Sequence, residues 1–392
     1  MVMKTNMKKR KKVCKKLAFK LFISVFVLTF GIIGVRAQDD INELPEEYGD
    51  YIDSLPDNLT DTLPDGTFSE NVNDVADAVS EMTGFEFLLN EFTSYLGGGI
   101  KNCLPSLIII CGLLLVAATG QIIGSSLSGN TSRMFEMCSR MCIFSSVAAT
   151  AVASLDSVRT YFDSLCTLMW SFVPLSGVLY AMGGNLTAAA SMSTGLSVTL
   201  AICEFVCTYT VIPIFCVCLC FSLISAFDPS SGVSSLGASV KKWYTTLLSF
   251  VMMIITTSVS AQTFISAKAD NAAMRGAKFA AGAFIPVSGG TVASSLGTVA
   301  SSVELLRGAV GTGGIIILLL MLLPVIIELI LMRMVFGICS FIAGVLGCQG
   351  EKKLLDDICG LYGYLEGVAV LCTVVFIIAL AIFASCASAV GN

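Results

Sequence analysis

The chain has 392 residues, 55% of them hydrophobic and only 13% charged, with a mean hydropathy of +0.84 and a formal net charge of −5. A soluble globular domain carries about twice that charged fraction, so an ordinary soluble enzyme is excluded and an α-helical membrane protein is the leading class. Histidine is absent, which removes His general acid–base catalysis, Ser-His and Cys-His nucleophiles, and His metal sites.

The charge is segregated along the chain. Between Lys4 and Lys20 there are nine Lys/Arg and no acid, followed by the apolar run Leu21 to Val35 and then Val35-Arg36-Ala37. A basic stretch, an apolar stretch and a small-residue site in that order read as a secretory signal peptide over 1–37, or as an uncleaved signal anchor. The next segment, 38–102, is acidic: sixteen Asp/Glu and no Lys or Arg lie between Gln38 and Ile100. That is the composition of an exported segment, because cytoplasmic loops collect positive charge. Within it Val72, Val75, Val79 and Met82, then Phe85, Leu89, Phe92 and Leu96, recur at three- and four-residue steps. The spacing predicts an amphipathic helix, lying on the membrane or on its own protein, or docking an extracytoplasmic partner.

From Cys103 the chain becomes a series of apolar runs long enough to span a bilayer: 104–125, 137–155, 201–226, 245–265, 314–336 and 365–388. Two further stretches, 164–184 and 280–302, are rich in Gly, Ser, Ala and Thr and each contains a proline. They either span or re-enter, and the polarity of 280–302 favours re-entry. Proline and glycine at membrane depth leave backbone groups that only protein or water can cover, so these segments are expected inside the bundle, or else as kinked helices. Cys216, Cys218 and Cys220 resemble a metal motif on paper, but i and i+2 point about 200° apart on a helix and cannot converge on one ion. No metal ligands are assigned.

The two proline segments align with each other. Phe172-Val173-Pro174-Leu175-Ser176-Gly177 matches Phe284-Ile285-Pro286-Val287-Ser288-Gly289 at an offset of 112, while Pro213 and Pro324, and Lys241-Lys242 and Lys352-Lys353, are offset by 111. These landmarks imply an internal repeat of about 111 residues, with units at about 131–241 and 242–352. Phe172, Pro174, Ser176, Gly177, Phe284, Pro286, Ser288 and Gly289 are the candidate gate residues of that plan, which recurs in transporters. With an exported N-terminus, Arg133 and Arg140 fall inside. The Lys241 and Lys352 loops fall inside together only if the two proline segments re-enter.

Ionisable residues within apolar spans are costly and default to functional candidates. Glu204 and Glu328 are the two, as an ion or proton pathway or as buried structural contacts. Glu328 and Arg333 sit about 140° apart around a helix and should not pair with each other. Gly120-x-x-x-Gly124 and Gly363-x-x-x-Gly367 fit close helix packing. No Walker A sequence and no basic, aromatic-interleaved surface occur, so nucleotide energy would come from a partner and nucleic acid is not expected.

The connector 268–290 carries Arg275, Lys278 and Phe279, placed to hold the chain at an interface. Its string Arg-x-Ala-Lys-Phe-x-x-Gly-x-Phe-Ile-Pro-Val-x-Gly resembles that of the stage III sporulation protein AE family of endospore-forming bacteria. The resemblance covers roughly 100–392, is specific in 268–290, and extends to the acidic segment only in character. It implies a multi-pass protein of the mother-cell membrane around the forespore, working in a channel or secretion-like complex. The implied partners are other stage III A proteins, including a cytoplasmic ATPase and ring-forming membrane proteins, and indirectly stage II sporulation protein Q. It implies no catalytic residue and no cofactor. The expected fold is all-α and polytopic, with a multi-span membrane domain over 103–392. The expected function is a non-enzymatic, permease-like or export-gate-like subunit; the alternatives are an independent secondary transporter or a passive scaffold for ring-forming partners.

Overall fold

A computed structural model describes residues 44–69, 71–124, 129–183, 186–227, 235–257, 260–261 and 289–385. The signal segment 1–37, the anchor Arg275, Lys278 and Phe279, and the second gate segment up to Ser288 lie outside the described residues. Among the described residues the chain is helical, with no strand.

The acidic segment folds as a small cap. Pro45 precedes α1 (Glu46–Asp53), whose first turn carries Glu46 and Glu47, the charge sign a helix N-terminus favours. A one-turn helix at Asp57–Thr60 and a 3₁₀ turn at Asp65–Phe68 lead to α2 (Val72–Met82). Asn71 caps α2 by accepting from the Asn73 N–H at 3.0 Å, satisfying one of the donors a helix start leaves open. The stripe Val72, Val75, Val79 and Met82 is buried, together with Leu55, Leu59 and Leu63. The amphipathic pattern stops there. Thr83-Gly84 breaks the helix, and Phe85, Leu89 and Phe92 begin α3 (Phe85–Gly124) with their side chains exposed.

The rest is a bundle of long helices: α3, α4 (Gly129–Met182), α5 (Leu186–Val206), α6 (Ile212–Phe227), α7 (235–257), α8 (Gly289–Val345) and α9 (Gln349–Ser385). A π-helical turn, Cys207–Val211, joins α5 to α6. Pro213 follows it and has no N–H to give, which lets the ladder slip to the wider register. Contacts set the directions. Cys111 of α3 faces Cys339 of α8 at 3.9 Å between sulfurs, and Gly99 lies by Ile327 and Leu331, so these two helices are parallel. Arg140, Ser154 and Phe172 of α4 meet Glu351, Tyr362 and Phe383 of α9 in order, so α4 and α9 are parallel. Cys218 of α6 reaches the Gly237 carbonyl, and Thr210 bonds to Tyr244, so α7 runs back along α5–α6. Five of the six apolar runs read from sequence fall, in their described parts, on α3, α4, α5–α6, α8 and α9, while 245–265 lies partly on α7 and partly outside the described residues. Those five elements are the ones among the described residues that are long and apolar enough to cross a membrane.

The proline segment 164–184 is not a broken or re-entrant element here. It continues 137–155 inside one 54-residue helix, through Asp156, Arg159 and Pro174. Proline forfeits one hydrogen bond to the preceding turn, and the bundle tolerates this because Leu175 and Ser176 are wholly buried by neighbouring helices. The helix ends only after Met182, before Gly183. Its counterpart is helical from Gly289, and α8 runs from there to Val345 with Pro324 inside it. The internal repeat is not shown by the structure. Between Pro174 and Pro213 the chain turns and passes through a π turn, whereas between Gly289 and Pro324 it is one uninterrupted helix.

The α8–α9 hairpin is the core. Its turn is Leu346-Gly347-Cys348: the Cys348 N–H donates to Ala343 O at 2.9 Å and the Gly347 N–H to Gly344 O at 3.4 Å. This double closure of a helix end needs a left-handed residue, and Gly347 supplies it with φ +85°. Gly347→Ala should destabilise the hairpin by about 1–2 kcal/mol, the cost of that conformation for an L side chain, read as a lowered unfolding temperature of the full chain in detergent. A membrane-permeant oxidant should join Cys111 to Cys339, detected as a linked peptide by mass spectrometry and lost in Cys111→Ser; no such linkage would place α3 elsewhere.

Candidate functional site

Three features of the bundle carry chemistry, one at each end and one between. At the cap end, Tyr51 from α1 packs edge-on against Phe172 of α4 (ring centroids 5.7 Å apart). Phe172 meets Phe383 of α9 at 5.1 Å, Phe383 meets Tyr180 at 5.3 Å, and the Arg307 guanidinium lies 4.8 Å over the Tyr180 ring. Edge-to-face rings and a cation over a ring face are both favourable. Small residues on α8 let the cap come this close. A side chain at Gly313 would press on Val79, one at Gly314 on Tyr51 and Leu380, and one at Gly311 on Ala384. The Tyr48 hydroxyl donates to Thr67 O at 2.9 Å, and burial pushes the phenols of Tyr48 and Tyr51 well above their ordinary titration range.

At the opposite end, beside the Gly347 turn, the cations gather. Arg140 of α4 pairs with Glu136 at 3.3 Å and reaches Glu351 of α9 at 3.7 Å, while Ser139 donates to the same Glu351 carboxylate at 3.1 Å. Ser340 donates to Asp356 at 2.6 Å, and deeper in the bundle, past Tyr362 along α9, Arg333 of α8 pairs with Glu366. Glycines seat the cationic heads: Gly350 under Arg140, Gly363 under Arg333, Gly344 under Lys352 and Gly360 under Lys241. Lys241 and Lys352 thus lie at the same end as Arg140.

Between the ends is a polar junction of four helices. Glu328 of α8 lies near Ser154 and Ser157 on α4. The Tyr362 hydroxyl of α9 donates to Ser154 Oγ at 3.2 Å and lies 3.4 Å from Thr150 O. Cys103 of α3 faces the same carboxylate.

Of the residues singled out from sequence, Phe172 and Ser176 are wholly buried. Phe172 holds the cap, and the Ser176 hydroxyl bonds to Val173 O at 2.8 Å. Pro174 and Gly177 are helix positions, and a side chain at Gly177 would meet nothing within 4 Å. Gly289 opens α8, whereas Phe284, Pro286 and Ser288 lie outside the described residues. Glu204 is exposed and sits near Cys166, apart from the groups around Glu328. Arg333 turns to Glu366 rather than to Glu328, as the helical geometry required, so Glu366 is an interhelical partner. Sequence reasoning missed Tyr51, Gly313, Gly314, Glu351 and Tyr362. Their significance is a matter of neighbours from distant parts of the chain.

Long apolar helices, an acidic cap at one end and seated cations at the other define a polytopic α-helical membrane protein. Its family follows from comparison: the family model for stage III sporulation protein AE matches residues 67–387, and the chain belongs to that family. It is therefore a sporulation protein. The match begins at Thr67 and takes in α2, so half of the cap belongs to the family along with the bundle. Comparison with curated proteins finds no match, nor does comparison with solved structures.

The two classes of ion pair should behave differently. Glu351 is wholly enclosed, and removing one partner of a buried pair costs about 3–5 kcal/mol, so Glu351→Ala should lower the unfolding temperature markedly. Arg159 and Asp163 are 60% and 65% exposed, and such a pair contributes about 0–1 kcal/mol, so Arg159→Ala should leave that temperature nearly unchanged.

Proposed function

We propose that this protein is a membrane-embedded core subunit of a channel or secretion-like complex linking mother cell and forespore, acting as an export-gate-like element without enzymatic activity. The observation that carries this reading is a mismatch of lengths. Exposed apolar side chains run along α3 from Phe85 to Ile123, and on α8 from Ile330 to Val345 beyond the part that the cap covers. At 1.5 Å per residue the α3 face is roughly 57 Å tall, against about 30 Å of hydrocarbon in a bilayer. A bilayer leaves the excess uncovered, and large exposed apolar patches outside lipid mark protein contacts.

The charge distribution supports an orientation. The cap is acidic, and Arg140, Lys241 and Lys352 share the other end; by the positive-inside rule that end is cytoplasmic and the cap extracytoplasmic. The membrane is then that of the mother cell around the forespore. A cytoplasmic secretion-type ATPase would meet the cationic end, and ring-forming stage III A proteins, with stage II sporulation protein Q beyond them, would meet the cap side.

Site-specific photo-crosslinking in sporulating cells tests this. A probe at Ile108, within the apolar run of α3, should label lipid. Probes at Phe92 and Phe85 should label ring-forming stage III A proteins. Lipid adducts alone at Phe85 and Phe92, or ion-coupled uptake by vesicles containing only this chain, would replace the reading with that of an independent transporter.

A further inference from the structure

The cap meets α8 across a contact made mostly of apolar groups. The hydrogen bonds of the cap's side chains stay inside it: Tyr48 donates to Thr67 O at 2.9 Å, Ser54 to Tyr51 O at 2.6 Å and Ser69 to Asp74 at 2.8 Å. Among the described residues no hydrogen bond or ion pair crosses from the cap to the bundle. Two hydroxyls are nevertheless enclosed in this contact. Thr67 is 2% exposed, and its Oγ1 is buried with no hydrogen-bond partner. Tyr51 is also 2% exposed. Its hydroxyl makes no hydrogen bond among the described residues and stands 3.2 Å from where a Cβ at Gly314 would be. A buried hydroxyl left without a partner is destabilising.

Local structure holds Thr67 in place. Gly66 lets the 3₁₀ turn press on α2, since a Cβ there would meet Asp74 O at 2.8 Å. The Thr67 N–H donates to Pro64 O at 2.9 Å, and the Thr67 carbonyl accepts from Tyr48. Both backbone groups of Thr67 are thus fixed.

Between the cap and α8 lies a cavity with about 10 Å³ of room for the centre of a water molecule, the space of a single water. Thr67 and Tyr51 line it from the cap, and Ala309, Val310, Gly313 and Gly314 from α8. A helical side chain covers the turn before its own Cα, so glycine at 313 and 314 leaves the carbonyls of Ala309 and Val310 uncovered. A helix carbonyl that accepts one hydrogen bond keeps a second lone pair. The lining holds no charged residue, so an ion has nothing there to pair with. A buried water is held by two to four polar groups; the two hydroxyls and the α8 backbone supply them.

We propose that this cavity binds one water molecule, which bridges Thr67 Oγ1 and the Tyr51 hydroxyl to the backbone of α8. The water is the polar contact that sets the register of the cap on the bundle.

Radiolytic labelling of the full chain in detergent tests this. An X-ray pulse makes hydroxyl radicals from bound as well as bulk water, so a bound water oxidises its neighbours even where solvent is excluded. Met82 is wholly buried and lines the cavity with Tyr51. Mass spectrometry should find oxygen added to both after a short pulse. Met169 and Met192 are equally buried elsewhere in the bundle and should stay unlabelled. Thr67→Val should abolish the label on Met82, while exposed Phe68 keeps its own. The same substitution should lower the unfolding temperature. Adding Tyr51→Phe should lower it little further, because the two hydroxyls share one water. No uptake at Met82 and Tyr51 overturns the proposal, and so does uptake that Met169 and Met192 share, which radicals from bulk water would explain. An unchanged or raised unfolding temperature in Thr67→Val overturns it too, since removing an unpaired hydroxyl from a dry cavity is neutral or stabilising. Labelling of the unsubstituted chain is decisive even if a variant folds poorly.

Discussion

A charge enclosed by apolar helices has to be met by opposite charge or by an aromatic face, or else held neutral, and this constraint sets the register of the bundle. Arg140 and Glu351 tie α4 to α9, and Arg333 and Glu366 tie α8 to α9. Sliding either helix by a turn would strand an ion at a cost of several kcal/mol. The glycines follow from the same need. A guanidinium or ammonium head is wide, and Gly350, Gly363, Gly344 and Gly360 leave room for it against a helix backbone. Apolar packing then fills the rest, with the α8–α9 hairpin at the centre and Gly347 closing its turn.

The two ends of the bundle are built from different materials. The cap is held by rings and small residues: Tyr51 on Phe172, Phe172 on Phe383, and Val79 against Gly313. Such contacts depend on shape and area and carry little salt dependence. The other end is held by ion pairs, which respond to salt where they reach the surface. A protein that joins different partners on two sides of a membrane would be served by such an asymmetry, since each end offers a distinct chemistry for recognition.

Much of the fold was legible in the order of residues. Five of the six apolar runs correspond to long apolar helices of the bundle, because a run of that length has one low-energy form in hydrocarbon. The Val72, Val75, Val79 and Met82 stripe was legible for the same reason of periodicity. Its apparent continuation was not: Phe85, Leu89 and Phe92 keep the helical spacing, yet they point outward on α3. Periodicity reports a face and leaves open what covers it. Pro174 was read as a break, yet it lies within a helix, because the energetic cost of one missing hydrogen bond is met by packing that comes from α8, α9 and the cap. The internal repeat implied by the offset of 111 or 112 between proline landmarks is not shown among the described residues. The landmarks record where prolines stand, and the backbone around them is decided by different neighbours.

The sequence by itself determined the membrane class, the order of the apolar runs, the acidic character of the cap and the family, since all of these depend on local composition and motif. It also required Glu328 and Arg333 to point apart, because helical geometry is local. Tertiary structure alone decided that Arg333 turns to Glu366, that Tyr51 rests on Phe172, and that Tyr362 bonds to Ser154. Those partners lie tens to hundreds of residues away along the chain. Which of them meet depends on how whole helices pack, a matter of summed shape and charge over the bundle that no single stretch of residues contains.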